Sequence, residues 1–132
     1  MAVFIHHLRV RYGECDSQKV VYNPRYAEYV DIAVLEFLRS LPMGANFFKG
    51  DLDYQLVKQT TEWKASARFD DALAITVLPL KTGTTSFTLR ADIRIGSSEK
   101  VIVSSEMVYV LMTAVELTKL ALPEAFRAAL AS

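Results

Sequence analysis

Asp16 stands in a polar run, Glu14-Cys15-Asp16-Ser17-Gln18-Lys19, which leads into Val20-Val21-Tyr22-Asn23-Pro24. An ionised carboxylate placed beside the unpaired backbone N–H groups of a helix start is equipped for one kind of chemistry. It attacks an acyl carbonyl, or activates water against one, while the helix end accepts the negative charge. Cys15 is a weaker nucleophile candidate, because His6 and His7 are the only bases on offer and both fall in an alternating strand pattern. Adjacent histidines on opposite strand faces do not readily share a metal, so no metal site is expected.

The elements that must position Asp16 are legible on either side. Val3 to Tyr12 alternates, with Phe4, His6, Leu8, Val10 and Tyr12 on one side and Ile5, His7, Arg9 and Arg11 on the other. Gly13 closes that strand. Asn23-Pro24 then opens a helix, with Asn23 as the expected N-cap and Pro24 at the first helical position. Tyr26, Val30, Ala33, Val34, Phe37, Leu38 and Leu41 recur at three- and four-residue spacing as an apolar stripe, and Pro42 and Gly44 end it.

Residues 45–52 read as a loop with a helical turn, and the chain from Asp53 to Thr113 reads as extended. Tyr54 to Arg68 is one long strand, Asp70-Asp71 a turn, and Leu73 to Leu80 a strand whose Pro79 requires an edge or a bulge. Thr84 to Ile95, a Gly96-Ser97-Ser98 turn and Lys100 to Thr113 complete a meander, and Pro123 starts a short helix. One strand, one apolar-faced helix and about four antiparallel strands give an α+β fold. The sheet curls around the helix and buries its stripe.

The chain has 132 residues, 52% of them hydrophobic, with 15 basic and 15 acidic side chains. That balance fits a single globular domain over 1–132. Zero net charge argues against nucleic acid as the partner. No apolar run approaches a membrane span, and the N-terminus lacks the pattern of a signal peptide. The single cysteine excludes an intrachain disulfide and suits a reducing compartment, so the cytoplasm is the expected location. A short chain this apolar is also expected to form oligomers.

The Gly-Glu-Cys-Asp16 loop, the helix start Val20 to Tyr26 and the Ala67-Arg68-Phe69-Asp70-Asp71 turn together resemble the 4-hydroxybenzoyl-CoA thioesterase family, hot-dog-fold acyl-CoA thioesterases. The resemblance is sharpest over residues 10–40. It implies a hot-dog sheet wrapped around one central helix, and edge-to-edge homodimers, often paired into homotetramers, with active sites at the dimer interface. It implies Asp16 as nucleophile or general base, the Asn23 backbone N–H as oxyanion donor, and an acyl-CoA substrate cleaved without metal or organic cofactor.

Two departures stand out. Many relatives carry glycine where this chain has Lys19, and some place a histidine in this loop. If that glycine uses positive φ, Lys19 either accepts strain or the loop runs differently.

On the residues alone, Asp16 before serine reads by default as a turn residue bonding its own backbone. With the resemblance, catalysis becomes the reading. Tyr22, Pro24 and Tyr26 would line the acyl site, Lys19 would meet Asp16 or the ligand, and Glu62 would add a second carboxylate. For the tyrosines and Lys19 the blander roles are core packing and solvated loop. Arg25, Lys64, Arg68, Lys81 and Arg90 are available for phosphate, with solvation the default for each. Three rivals remain: a dehydratase acting on acyl carrier protein, which would want a loop histidine; a thioesterase taking its substrate from a carrier protein; and a non-catalytic acyl-binding module.

Overall fold

The apolar stripe faces inward along the whole of α1 (Asn23–Ser40): Tyr26, Tyr29, Val30, Ala33, Val34, Phe37 and Leu38 are all buried. A computed structural model describes residues 3–131. The strands are β1 (Phe4–Arg9), β2 (Leu52–Trp63), β3 (Ala72–Thr82), β4 (Ser86–Ile95) and β5 (Val101–Thr113), and a second helix, α2, spans Glu124–Ala131. They form one antiparallel sheet in the order β1-β3-β4-β5-β2. The inward residues of the middle strands, Leu73, Ile75, Val77, Phe87, Leu89, Ala91, Ile93, Met107 and Leu111, meet the helix stripe in one core. Removing such side chains from water is the main stabilising term, roughly 1.5–3 kcal/mol for each large one. This is the hot-dog arrangement.

Pro79 occupies the position its chemistry demands. Pairing with β1 stops at Val77, and the register with β4 shifts between Pro79 and Lys81. Pro79 pairs with Leu89 of β4 but lies beyond the β1 ladder and beside the irregularity, where a missing N–H is tolerated. A second register shift lies in β2, between Leu56 and Lys58, where Val57 is the extra residue. Before it, Tyr54 and Leu56 oppose the inward Leu111 and Tyr109; after it, Gln59 and Thr61 oppose Met107 and Ser105.

Several boundaries differ from the expected ones, and those nearest the helix ends have visible causes. β1 ends at Arg9, because Tyr12–Glu14 forms a 3₁₀ turn that leaves Tyr12 80% exposed against Phe69. β2 ends at Trp63 rather than Arg68: Lys64 and Ala65 bond the Ile102 carbonyl, and the chain then bends so that Ala67 and Arg68 reach Val20 and Val21. The helical turn expected near residue 45 is a 3₁₀ turn at Gly44–Phe47. Around the far end of α1 and that turn, Phe47, Tyr54, Phe87, Tyr109 and Phe126 form a continuous aromatic cluster with ring centroids 5.2–5.9 Å apart.

Candidate active site at the helix entry

Between β1 and α1 the chain makes a small hairpin, and Asp16 is at its tip. Cys15 and Val21 form an antiparallel bridge, the Asp16 N–H donates to the Val20 carbonyl at 2.9 Å, and the Tyr22 N–H donates to the Glu14 carbonyl at 3.0 Å. The tip closes by the Lys19 N–H donating to the Asp16 carbonyl at 2.9 Å. Lys19 sits at φ +65°, the left-handed region that favours glycine. Of the two outcomes expected for a lysine here, the chain takes the first: it accepts the strain and keeps a glycine-type turn.

Asp16 is half-buried, and its Oδ1 accepts the Gln18 N–H at 2.8 Å. That is the backbone-bonding role expected of a turn aspartate. The bond engages one oxygen only; Oδ2 has no protein partner among the described residues. The turn role and a chemical role are therefore compatible in one side chain.

The helix start differs by one residue from the expected one. Tyr22, not Asn23, is the N-cap, with φ −64° and ψ 125°; Asn23 is the first helical residue and Pro24 the second. The Glu14 carbonyl takes the Tyr22 N–H, and the helix begins directly after that residue, one position earlier than Asn23-Pro24 suggested. No side chain caps it. The Tyr22 carbonyl takes the Arg25 N–H at 2.8 Å, and Pro24 has no N–H to offer. The Asn23 N–H is consequently an exposed donor without a protein partner among the described residues.

Two tyrosines, edge to face at 5.9 Å, tie the body of the helix to the surrounding loops. Tyr26 is 1% exposed and its hydroxyl accepts the Ala67 N–H at 2.9 Å, while the Ala67 carbonyl accepts the Val21 N–H at 2.9 Å. Of the two roles expected for Tyr26, the structure shows the packing one: the ring is in the core, and the hydroxyl holds a loop. Tyr29 donates to Glu14 Oε1 at 2.7 Å, and that same oxygen accepts the Arg11 N–H at 2.8 Å. Burial, and then acceptance by the Glu14 carboxylate, push the Tyr29 pKa far up, so its proton stays on. Burial also raises the Tyr26 pKa, partly opposed by the Ala67 N–H. Glu14 was missed as a site residue. Its signal was present, since a glutamate three residues after Arg11 is placed to bond back to a turn's first N–H.

The remaining candidates scatter. Tyr22 is 55% exposed and Pro24 is exposed, both at the helix entry. Glu62 is exposed on the free edge strand, paired in register with Ser104, and no hydrogen bond or ion pair joins it to Asp16. Two of the basic side chains are engaged: Arg25 with Glu28 at 2.9 Å and Arg90 with Asp92 at 3.1 Å. His6 is half-buried and His7 exposed, on opposite faces of β1. Among the described residues no group of three or more histidine, cysteine or acidic side chains gathers as for a metal ion, and no helix is long and apolar enough to cross a membrane.

A cavity of about 690 Å³ opens at the opposite end of α1, lined by Phe4, Phe37, Leu41, Val77 and Leu130 among others. Its lining carries no titratable side chain, so it has no means of performing the chemistry. A smaller hollow of about 310 Å³ lies nearer the hairpin, between Arg9, Arg11, Tyr12 and Phe69.

Comparison with known proteins agrees with this fold. The family model described as thioesterase superfamily matches residues 18–102. A gentisyl-coenzyme A thioesterase structure superposes with TM-score 0.85 at 24% identity, over 96% of this chain and 98% of its own. A 1,4-dihydroxy-2-naphthoyl-CoA thioesterase from Synechocystis gives 0.83 at 20%, over 99% and 97%. A Staphylococcus aureus protein in complex with CoA gives 0.87 at 14%, over 98% and 82%. No functionally curated protein sequence matches the chain.

Proposed function

The chain belongs to the thioesterase superfamily, a family of thioester hydrolases, and from that premise we propose that it hydrolyses acyl-CoA to free acid and CoA at the helix entry. One observation carries the reading. A hairpin holds a carboxylate with one oxygen uncommitted among the described residues, next in the chain to a helix whose first N–H likewise has no partner among them. In the proposed reaction the thioester carbonyl oxygen faces the Asn23 N–H, and Asp16 attacks the carbonyl carbon or takes a proton from an attacking water. As the new C–O bond forms, the carbonyl π electrons move onto that oxygen; collapse of the tetrahedral intermediate then breaks the C–S bond and CoA leaves as the thiolate, which takes up a proton. In the direct-attack route water afterwards hydrolyses the acyl–Asp16 anhydride to the free acid and restores the carboxylate. One well-placed donor of this kind is worth roughly 3 kcal/mol at the transition state.

Tyr22 and Pro24 flank the acyl group in this reading, and Lys19 offers its ammonium at the rim. The CoA assignment draws support from the S. aureus relative in complex with CoA and from the two CoA thioesterases of similar fold. Both of those act on hydroxylated aromatic acyl groups by name, so such groups lead the list of substrates to try. The positive φ of Lys19 counts against the non-catalytic alternative, because the loop keeps the turn a glycine would make. We place the working form as a homodimer or homotetramer in the cytoplasm. β2 ends the sheet with a free edge carrying exposed Leu56, Val57 and Trp63, which a second copy would cover.

Release of free thiol tests the proposal, measured against aromatic and aliphatic acyl-CoA and against the same acyl groups on a carrier protein. Turnover of acyl-CoA is expected, and Asp16→Asn is expected to lower kcat on the order of a thousandfold with folding and assembly intact. Saturable binding without thiol release would sink the hydrolase reading, exclusive use of the carrier-bound substrates would replace CoA, and full activity in Asp16→Asn would remove Asp16.

A further inference from the structure

The proposed reaction needs Asp16 and the Asn23 N–H at a fixed separation, yet they belong to two different bodies, a hairpin and a helix. The backbone bonds that join the two all lie at the junction, from Glu14–Tyr22 to Asp16–Val20, where a small rotation of the helix changes them little. Tyr29 is seven residues beyond the N-cap, about 10 Å along the axis, and a bond made there resists such rotation with far more leverage.

We propose that the Glu14 carboxylate, held by the Arg11 N–H and grasping the Tyr29 hydroxyl, is a positioning residue that sets the angle between hairpin and helix. It thereby sets the distance from Asp16 to the oxyanion donor. The inference rests on the reading of the preceding section. The geometry is complete on the page: Oε1 lies 2.8 Å from the Arg11 nitrogen and 2.7 Å from the Tyr29 oxygen, so one acceptor joins the root of the hairpin to the second turn of the helix. The bond is half-buried and the phenol keeps its proton, so the link persists through the working pH range. Glu14 touches no reacting atom. It acts through Asp16 and Asn23.

Steady-state kinetics of the full chain test this, using the thioester the wild type turns over fastest. Because a misplacement of about 1 Å costs on the order of a hundredfold, Glu14→Ala is expected to lower kcat about thirtyfold and Tyr29→Phe about fivefold, with KM changed less than about twofold. Glu14→Gln keeps an acceptor oxygen and is expected to recover kcat to within about threefold of wild type. Phe126→Leu, a core change at the other end of the molecule, serves as the stability-matched control and leaves kcat unaltered. The proposal is overturned if Glu14→Ala stays within twofold of wild type, if Phe126→Leu loses as much, or if glutamine fails to restore the rate. Should Glu14→Ala not fold, Tyr29→Phe carries the same test. A wild-type chain with no turnover defeats the functional reading and leaves this one to amide exchange: Glu14→Ala then accelerates exchange at Tyr22 and Lys19 and Glu14→Gln does not, equal rates in both overturning it.

Discussion

The two ends of α1 are built from different materials. At its N-terminus the helix meets polar groups: Glu14, Asp16, Ala67 and the Tyr26 and Tyr29 hydroxyls, joined by hydrogen bonds of 2.7–3.0 Å, and the Asn23 N–H has no partner among the described residues. At its C-terminus it meets rings and aliphatic chains, among them Phe4 edge-on to Phe37 and the Phe47–Phe126–Phe87–Tyr109 cluster. Packing is non-directional and tolerates small shifts, whereas hydrogen bonds fix angle and distance. Stability is therefore concentrated at one end and geometry at the other. A residue's distance from Asp16 should decide which of the two a mutation damages.

The largest expected effect lies at the packed end. Phe126 is fully buried against Phe47 and Phe87, and Phe126→Ala should cost about 3–5 kcal/mol in a urea melt, with kcat per folded molecule preserved. A loss of kcat to match Asp16→Asn would break the division between the ends.

A smaller effect concerns alkaline pH. Burial raises the Tyr54 pKa from 10.0 to about 12. Between those values the unfolded chain loses a proton that the native chain keeps, so stability is fully present below pH 10 and falls as pH rises toward 12. Chemical melts across that window should show the decline, and Tyr54→Phe should lessen its slope by one tyrosine's share, the buried Tyr29 and Tyr109, also raised, keeping the rest. An unchanged slope in Tyr54→Phe would assign the decline to other tyrosines.

The smallest effect separates backbone from charge at the polar end. A non-glycine residue in the left-handed region costs roughly 1–2 kcal/mol, partly offset by the greater freedom of unfolded glycine. Lys19→Gly should therefore stabilise the chain by about 0.5–1 kcal/mol, while Lys19→Ala, which keeps the strained turn, should not. If the ammonium meets substrate, both variants raise KM alike; if KM is unmoved in both, the lysine is merely solvated.

This division also explains what could be read from sequence. The stripe from Tyr26 to Leu38, the number of strands, the hairpin at Gly96 and the interruption at Pro79 follow from periodicity and from the chemistry of single residues. Each depends on near neighbours. The misreadings cluster at the polar end, where partners are distant in sequence. The break after Trp63 exists because Ala67 must reach Val21 and Tyr26, and the displaced cap exists because Glu14 holds Tyr22. Tyr26 illustrates the limit well: its spacing placed it correctly on the inner face, but nothing local revealed that its hydroxyl would hold residue 67. The Asp16 loop was legible as a motif, and its turn strain at Lys19 was legible as a choice between two outcomes. The orientation of Glu14 was not, for want of any local cue to Tyr29.

The surplus residue Val57 in β2 carries a consequence for growth of the sheet. Inward-facing positions are even-numbered up to Leu56 and odd-numbered from Gln59, so a strand docking alongside meets two alternations rather than one. An incoming segment whose own alternation lacks that phase slip cannot match both halves. A long, partly greasy border, of the sort that templates fibrils when regular, is in this way made to discriminate, admitting a mate with a matching irregularity and refusing indiscriminate stacking.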